Sequence, residues 1–305
     1  MSVYEVPARD CVSRHDGCPV CSAREAVSLF SLGGPLVRRC ASCGMQYLDP
    51  YPRDEVMAAF HQFHDRSALL NPMLARYHEA VAKDAPESRT TRTYARVLTE
   101  LARHAAPGSM LDVGCGTGRF LAMARDRGWR VLGVDSDADV ARAARTEHAL
   151  TVHQGELAEL EIPESSLDAI TMLDYLEHVL SPVPLIERAR TLLRPGGLLV
   201  VATPDIDGLL FGMTRWLHTA TFGRVCGPLR KAYVPSHPLY FLNATLRRLL
   251  DRCGFHVVNT FADETDLRRL ALPPAVKVAV RSVFALAKIV GRRNRTIVIA
   301  QKATR

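Results

Sequence analysis

The sequence contains no apolar run approaching the roughly 20 residues that a helix needs to cross a bilayer. Its first residues, Met-Ser-Val-Tyr-Glu-Val-Pro, also lack the basic and then apolar character of a secretory signal. Both absences argue against a membrane-spanning or secreted protein. We therefore expect a cytoplasmic protein, and peripheral contact with the inner membrane surface is an alternative to be tested.

Acidic residues are missing from one long segment of the chain. Between Leu267 and Arg305 there is no aspartate or glutamate, whereas lysine and arginine together occur ten times. This segment accounts for more than the whole net charge of +7. The basic character is therefore local, which argues against a protein that binds nucleic acid along its whole surface.

Two common nucleotide-binding patterns are absent from the most informative stretch, residues 110–120. Its glycines Gly114, Gly116 and Gly118 alternate, whereas a dinucleotide fingerprint reads G-x-G-x-x-G and a phosphate loop needs a lysine after its last glycine. An apolar run precedes these glycines and an amphipathic pattern follows them, which predicts a strand, a tight turn and a helix. A ligand can then lie against bare backbone at the N-terminus of the helix.

Two acids flank this turn. Asp112 precedes the glycines, where its carboxylate repels a pyrophosphate and attracts a cationic ligand. Asp135 ends the second apolar run, where an acid can accept hydrogen bonds from both hydroxyls of a ribose. The pattern D-x-G-x-G-x-G resembles the first motif of the class I S-adenosylmethionine-dependent methyltransferases. The resemblance implies that S-adenosylmethionine is the cofactor bound here.

Later motifs extend this resemblance over residues 95–260. An acidic-x-x-Glu-His pattern follows the fourth expected strand, and Arg194-Pro-Gly-Gly precedes the fifth, as in the ubiquinone-biosynthesis O-methyltransferases and many tailoring methyltransferases. The resemblance implies an α/β fold with a doubly wound, Rossmann-like sheet of seven strands, the last inserted antiparallel. The alternation of patterns predicts these strands at 110–113, 130–134, 151–153, 168–173, 198–203, 255–261 and 296–301.

The resemblance also implies contacts to the adenine. Glu156 would accept a hydrogen bond from the adenine amino group, and Leu157 would pack on the ring, although the family usually has aspartate at the first position. The predicted cofactor-binding residues are Asp112, Gly114, Cys115, Gly116, Gly118, Asp135, Ser136, Glu156, Leu157 and Leu173.

Four of the eight cysteines form two C-x2-C pairs, which are separated by 18 residues. Two such pairs at this distance predict a zinc ribbon, since each pair can present two thiolates to one tetrahedral ion. A site with four cysteine ligands is closed to substrate, so we expect a structural Zn2+. The predicted ligands are Cys18, Cys21, Cys40 and Cys43.

Two histidines are the candidates for chemistry. Methyl transfer to a hydroxyl requires alignment of the acceptor and removal of its proton, for which histidine is the natural base near neutral pH. His178 follows the fourth expected strand, where open α/β sheets bind ligands. His237 lies where related enzymes often have a His-x-x-x-Phe element. In a second interpretation, Asp174, Glu177 and His178 resemble the set that holds a divalent cation such as Mg2+ in the ubiquinone O-methyltransferases.

The domain organisation follows from these motifs. We predict a zinc-ribbon module at 1–50, a helical lid and linker at 51–108, and a methyltransferase domain at 109–305. Two apolar and basic insertions interrupt that domain, at about 206–235 and 273–293. They predict a cap over the active site, contact with an anionic membrane or an apolar substrate, or binding of an anionic soluble partner.

The acceptor is the least determined part of the prediction. We expect a small molecule, lipid or sugar in a biosynthetic pathway, with O-methylation favoured. The alternative is C- or N-methylation of a nucleotide-deoxysugar or natural product, because N-terminal zinc modules also precede deoxysugar C-methyltransferases. An RNA methyltransferase is less favoured, since the ribbon offers few basic residues between its cysteine pairs, namely Arg24, Arg38 and Arg39. The oligomeric state stays open.

Overall fold

The computed structural model describes residues 6–13, 16–53, 55–56, 88–267 and 272–303. Most of the lid expected at 51–108 lies outside the described residues. The N-terminal part consists of short strands: β1 Cys11–Val12, β2 Ala26–Ser31, β3 Leu36–Cys40, β4 Gln46–Leu48 and β5 Tyr51–Pro52. Strands β2 and β3 form an antiparallel hairpin, with Gly33 in the turn at a φ of 114°.

Helices and strands alternate in the remainder of the chain. The helices are α1 Arg89–Leu101, α2 Arg119–Arg125, α3 Ala138–His148, α4 Pro182–Leu192, α5 Leu209–Ala220, α6 Gly227–Ala232, α7 Asn243–Arg252 and α8 Pro274–Ile289. The strands are β6 Ser109–Val113, β7 Arg130–Asp135, β8 Val152–Gln154, β9 Leu167–Leu173, β10 Leu193–Pro204, β11 Leu239–Tyr240, β12 Phe255–Asp263 and β13 Arg295–Lys302.

Seven of these strands form one sheet in the order β12-β13-β10-β9-β6-β7-β8. Strand β13 runs antiparallel to both of its neighbours, and the pairs from β10 to β8 are parallel. The predicted seven-stranded sheet with an antiparallel last strand is therefore confirmed. From β6 the chain continues to β7 and β8 on one side of the sheet and then returns to β9 and β10 on the other side. A ligand crevice is therefore expected at the carboxyl ends of β6 and β9.

Apolar side chains cover both faces of the central strands. Leu111 and Ile170 belong to the core on one face, and Met110 and Ala169 belong to the core on the other. Helix α1 closes the second face with Val97, Leu98 and Leu101, which are all buried. Its first turn is capped by the Ser88 hydroxyl, which accepts from the backbone N–H of Thr91 at 2.9 Å.

The cysteine-containing part shares a sheet with the second half of the chain. Strand β11 pairs antiparallel with β4, giving a four-stranded sheet in the order β11-β4-β3-β2. Arg248 and Arg252 of α7 donate to the carbonyl oxygens of Cys43 and Val20, both at 3.0 Å. Because of these contacts, the ribbon sits directly on the element that follows His237.

The two insertions are helical and contact each other through α5 and α8. The backbone N–H of Leu209 donates to the carbonyl of Arg292 at 2.8 Å, which ties the start of α5 to the end of α8. Within the described ranges, the helices are all too short or too polar to span a bilayer.

Candidate active site

Backbone conformation and the surrounding space explain the glycines at the three positions of the turn. All have positive φ, at 72°, 55° and 79° for Gly114, Gly116 and Gly118. A Cβ at Gly114 would lie 2.3 Å from the ring of Tyr175, and one at Gly118 would lie 2.4 Å from Leu150. A Cβ at Gly116 would meet nothing within 4 Å. Gly116 therefore borders open space, as a backbone that approaches a ligand must.

The acids that flank the turn are held in place by neutral donors. Asp135 accepts from the backbone N–H of Gly116 at 2.9 Å and from that of Asp137 at 3.0 Å. The buried carboxyl of Asp112 accepts from the hydroxyl of Thr171 at 2.5 Å. Burial raises the pKa of Asp112 to about 7 and also raises the pKa of Asp135. The charges of both acids act on Cys115 in the turn, so the two carboxyls favour a cation at this site.

Tyr175 packs against the glycine turn. Its ring lies against Gly114, and its hydroxyl donates to Glu156 at 3.0 Å. Glu156 is exposed, Leu157 beside it is buried, and Leu173 ends β9 just before Tyr175. Leu157 and Tyr175 belong to the same apolar core, whereas Leu173 packs against the core on the other face of the sheet, so the predicted adenine contacts stay a prediction.

The two remaining predicted contacts lie on either side of this turn. Ser136 is exposed between Asp135 and the N-cap of α3. Cys115 is buried, with its sulfur close to Gly133 of β7. Burial raises the pKa of its thiol, so this cysteine packs as a neutral side chain.

The four cysteines of the ribbon come together as the spacing predicts. Their sulfur atoms all lie within 4.8 Å of one another. Cys18 and Cys43 are 3.5 Å apart at sulfur, as are Cys21 and Cys40. Zinc–sulfur bonds of about 2.3 Å in a tetrahedron separate the sulfurs by about 3.8 Å. The cluster therefore fits a zinc ribbon.

His178 and His237 are in direct contact. Their ring centroids are 4.6 Å apart and the rings meet edge to face at 89°. His178 Nδ1 lies 3.1 Å from the carbonyl oxygen of Ser236. Because a carbonyl only accepts, Nδ1 carries the proton and Nε2 carries the lone pair. Burial lowers the pKa of His178 to about 4, so its ring is neutral at physiological pH.

A buried acid accompanies the two histidines. Glu177 has a ligand atom within 4.8 Å of those of both rings, and its Oε2 has no hydrogen-bond partner among the described residues. Burial and the charge of Asp174 raise the pKa of Glu177 to about 8. The raised pKa favours the protonated form, in which the side chain can donate a hydrogen bond. One carboxyl and two imidazoles could also hold a transition metal ion.

The set predicted for Mg2+ is arranged differently. Asp174 is bonded to the buried guanidinium of Arg295, which comes from the first residue of β13. This charge pair turns Asp174 toward β13, whereas Glu177 and His178 group with His237. The prediction of Mg2+ at Asp174, Glu177 and His178 therefore has no support from the geometry.

The ribbon positions the loop that carries His237. The backbone N–H of Leu48, in β4, donates to the carbonyl oxygen of Pro238 at 2.9 Å. The next two residues continue this contact as strand β11. The residue after His237 is thereby fixed by the same sheet that holds the second cysteine pair.

Comparison with known families identifies the domain that contains this site. The family model described as a methyltransferase domain matches residues 87–260, which is more than half of the chain. The chain belongs to this methyltransferase family. The family match includes the glycine turn, Asp135 and His178, and it leaves the ribbon outside.

Individual relatives agree with the family. A Mycolicibacterium smegmatis protein named "Probable S-adenosylmethionine-dependent methyltransferase" is 30% identical over 177 residues, 58% of this chain and 63% of the relative. A Xanthomonas campestris ubiquinone biosynthesis O-methyltransferase is 39% identical over 112 residues, 33% of this chain and 46% of the relative. This methyltransferase thus matches less than two thirds of the length of either relative.

A solved structure shows the same fold. The SAM-dependent methyltransferase from Archaeoglobus fulgidus superposes with a TM-score of 0.50 at 21% identity, over 70% of this chain and 95% of that one. The Methanosarcina mazei methyltransferase gives 0.50 at 18% identity. At these identities the likeness establishes the Rossmann-like fold of the methyltransferase and nothing about its acceptor.

The structure also adds residues that the sequence patterns did not single out. Tyr175 covers the turn, Thr171 bonds Asp112, and Ser236 fixes His178. An aromatic residue two positions after the fourth strand was the only visible signal for Tyr175. The other two contacts join residues 58 or 59 positions apart, which no local pattern reports.

Proposed function

We propose that this methyltransferase transfers a methyl group from S-adenosylmethionine to the hydroxyl oxygen of a small-molecule, lipid or sugar acceptor. The observation that carries the proposal is the open space beside Gly116, bordered by two acids at the carboxyl ends of adjacent parallel strands. The O-methyltransferase named above supports oxygen as the methylated atom, within the part of the chain that it matches.

The residues of the turn fit the proposed donor. When bound, S-adenosylmethionine supplies an electrophilic methyl carbon and a neutral thioether leaving group. Asp135 would accept from the ribose hydroxyls, because a carboxylate that already takes two backbone N–H groups still has lone pairs available. Asp112 would stabilise the positive charge of the donor from beneath the turn.

The paired histidines would activate the acceptor. His178, fixed by its hydrogen bond to Ser236, would hold the ring of His237 beside the acceptor, since the two rings are in contact. His178 is protonated only with difficulty, so we assign the removal of the proton to His237, which contacts it. Glu177 would stabilise the arrangement as a neutral hydrogen-bond donor.

The ribbon would act as a structural support that contains Zn2+. Its four thiolates form a closed set, and its last strand fixes Pro238 beside the proposed base. A role in binding RNA is disfavoured, because Arg38 is bonded to Asp49 at 3.0 Å, which leaves Arg24 and Arg39 as the other basic residues between the cysteine pairs.

Incubation of the protein with labelled methyl donor and fractionated extracts tests the proposal. We expect one fraction to take up label in a base-stable linkage to oxygen. His237→Ala should lower the rate by about 10²–10⁴-fold at unchanged donor affinity, the usual range for loss of a general base. If the wild-type protein binds the donor but labels nitrogen or carbon, the choice of O-methylation is wrong. If it binds no donor, the whole proposal is wrong.

A further inference from the structure

Exposed apolar side chains are concentrated in the two insertions. Of the ten large hydrophobic residues that are exposed within the described ranges, nine lie in the segments 213–225 and 276–290. We call these nine the apolar patch: Met213, Trp216, Phe222, Val225, Val276, Val278, Leu286, Ile289 and Val290. Trp216 is 70% exposed, Ile289 82% and Phe222 89%. Such a concentration marks an interaction surface, because soluble proteins usually scatter exposed apolar residues.

Helix α8 presents apolar residues on two faces. Phe284 and Ala287 are buried on the inner face. Val278, Leu286 and Ile289 fall together on the outer face, since their spacings of eight and three residues keep one side of a helix. The outer residues therefore do not serve the core of this protein. Helix α5 packs against α8 and shows the same arrangement, with Phe211 buried and Trp216 exposed.

The charges around the patch have one sign. The acid of the first insertion, Asp207, is bonded to Arg292, and the sequence from 272 to 303 contains no acid. Arg224, Arg281 and Lys288 are exposed, and no acid among the described residues pairs with them. Arg281 and Lys288 flank the outer face of α8 on one side. An occupant must therefore be both apolar and anionic.

We propose that the apolar patch binds the surface of a membrane that contains anionic lipids. Trp216, Phe222 and Ile289 would enter the interface between headgroups and acyl chains, and the flanking cations would meet the headgroups. A second copy of this chain is a poorer occupant, because a symmetric contact would bring the same cations together with no acid between them.

The position of the patch agrees with the active site. Helix α8 ends at Ile289, and six residues later Arg295 pairs with Asp174, which adjoins Glu177 and His178. Docking through α5 and α8 would thus hold the carboxyl edge of the sheet near the bilayer, where an apolar acceptor dissolves. This last step rests on the proposed methyl transfer, whereas binding to the membrane does not.

Vesicle binding tests the proposal with the full-length protein. The two vesicle types contain phosphatidylcholine alone or phosphatidylcholine with about 30% phosphatidylglycerol. The two tryptophans differ usefully, since Trp129 is 4% exposed and Trp216 is 70% exposed. We expect co-sedimentation with the anionic vesicles, a blue shift of the emission from Trp216, and weaker binding at high salt. Phe222→Ser should weaken the binding about tenfold, and Arg281→Gln about fivefold.

The control is Val27→Ser, which removes the exposed apolar residue that lies outside the patch, and it should bind like wild type. Equal binding by Phe222→Ser and wild type would overturn the proposal, and so would a lack of binding to both vesicle types. A dimer that forms without lipid and dissociates in Trp216→Ser would assign the patch to a second copy instead. Donor affinity is measured on the same samples. Vesicle binding without donor binding would therefore contradict only the proposed function.

Discussion

Replacing the glycines of the donor turn one at a time should separate ligand binding from folding. Gly116 and Gly118 both have left-handed backbone, at φ of 55° and 79°. Alanine at either position therefore costs about 1–2 kcal/mol of folding free energy for the backbone alone. The surroundings of the added methyl group differ between the two positions, and that difference sets the expected outcome.

At Gly118 the methyl group has no room. It would lie 2.4 Å from Leu150 and 3.0 Å from Ala144, which are both buried where α3 packs on the turn. Overpacking of this kind costs about 1–3 kcal/mol more. At Gly116 the methyl group meets nothing within 4 Å, so only the backbone cost applies. We expect melting temperatures to fall by about 2–3 °C in Gly116→Ala and about twice as far in Gly118→Ala.

Donor binding should respond in the opposite order. The methyl group of Gly116→Ala occupies the space in which the donor would approach bare backbone, so its affinity should fall at least about tenfold. Gly118→Ala should bind within about threefold of wild type below its melting temperature. Thermal unfolding and isothermal titration with S-adenosylmethionine measure both quantities. Gly227→Ala, also in open space but with ordinary φ, is the control. A donor affinity that is unchanged in Gly116→Ala would refute the placement of the donor.

Three other predictions concern groups around the site. The carboxyl of Asp112 becomes neutral as the pH falls through its pKa of about 7, so donor affinity should fall several-fold from pH 8 to pH 6. The same dependence of donor affinity on pH in Asp112→Asn would contradict this. Cys40→Ser should release zinc and lower the rate at saturating donor, because the ribbon holds Pro238, whereas Cys226→Ser should do neither. Tyr175→Phe loses only its bond to Glu156, so its donor affinity should fall less than that of Tyr175→Ala, as competition binding would show.

The glycine turn could be predicted from the sequence because the information for it is local. Three alternating glycines between a strand and a helix specify a turn, and Asp135 follows at the end of the next strand. The cysteine spacing is equally direct, since two knuckles fix four thiolates whatever surrounds them. The seven strands were found for the same reason: each is a short apolar run bounded by turn residues.

The helices of the insertions show a limit of prediction from sequence patterns. The sequence pattern of α8 predicts one apolar face and one basic stripe. The apolar face comprises Val276, Val280, Val283, Ala287 and Val290, and the basic stripe comprises Lys277, Arg281 and Lys288. The pattern does not say which side packs on the protein. The structure exposes Val276 and Val290 of that apolar face. It buries Ala287 and exposes Val278, Leu286 and Ile289 on a further apolar face. Periodicity assigns residues to faces, but only the neighbouring helix decides which face is covered.

The proposed acceptor site could not be predicted as a unit, because three distant segments contribute to it. Glu177 and His178 follow the fourth strand of the main sheet, His237 comes from the loop before β11, and Leu48 holds that loop from the ribbon. The sequence marks each segment separately, and nothing in their spacing joins them. This arrangement gives the ribbon a structural role at the proposed acceptor site. A rigid strand anchored by four thiolates limits the motion of Pro238, and therefore the distance between His237 and His178 on which proton removal would depend.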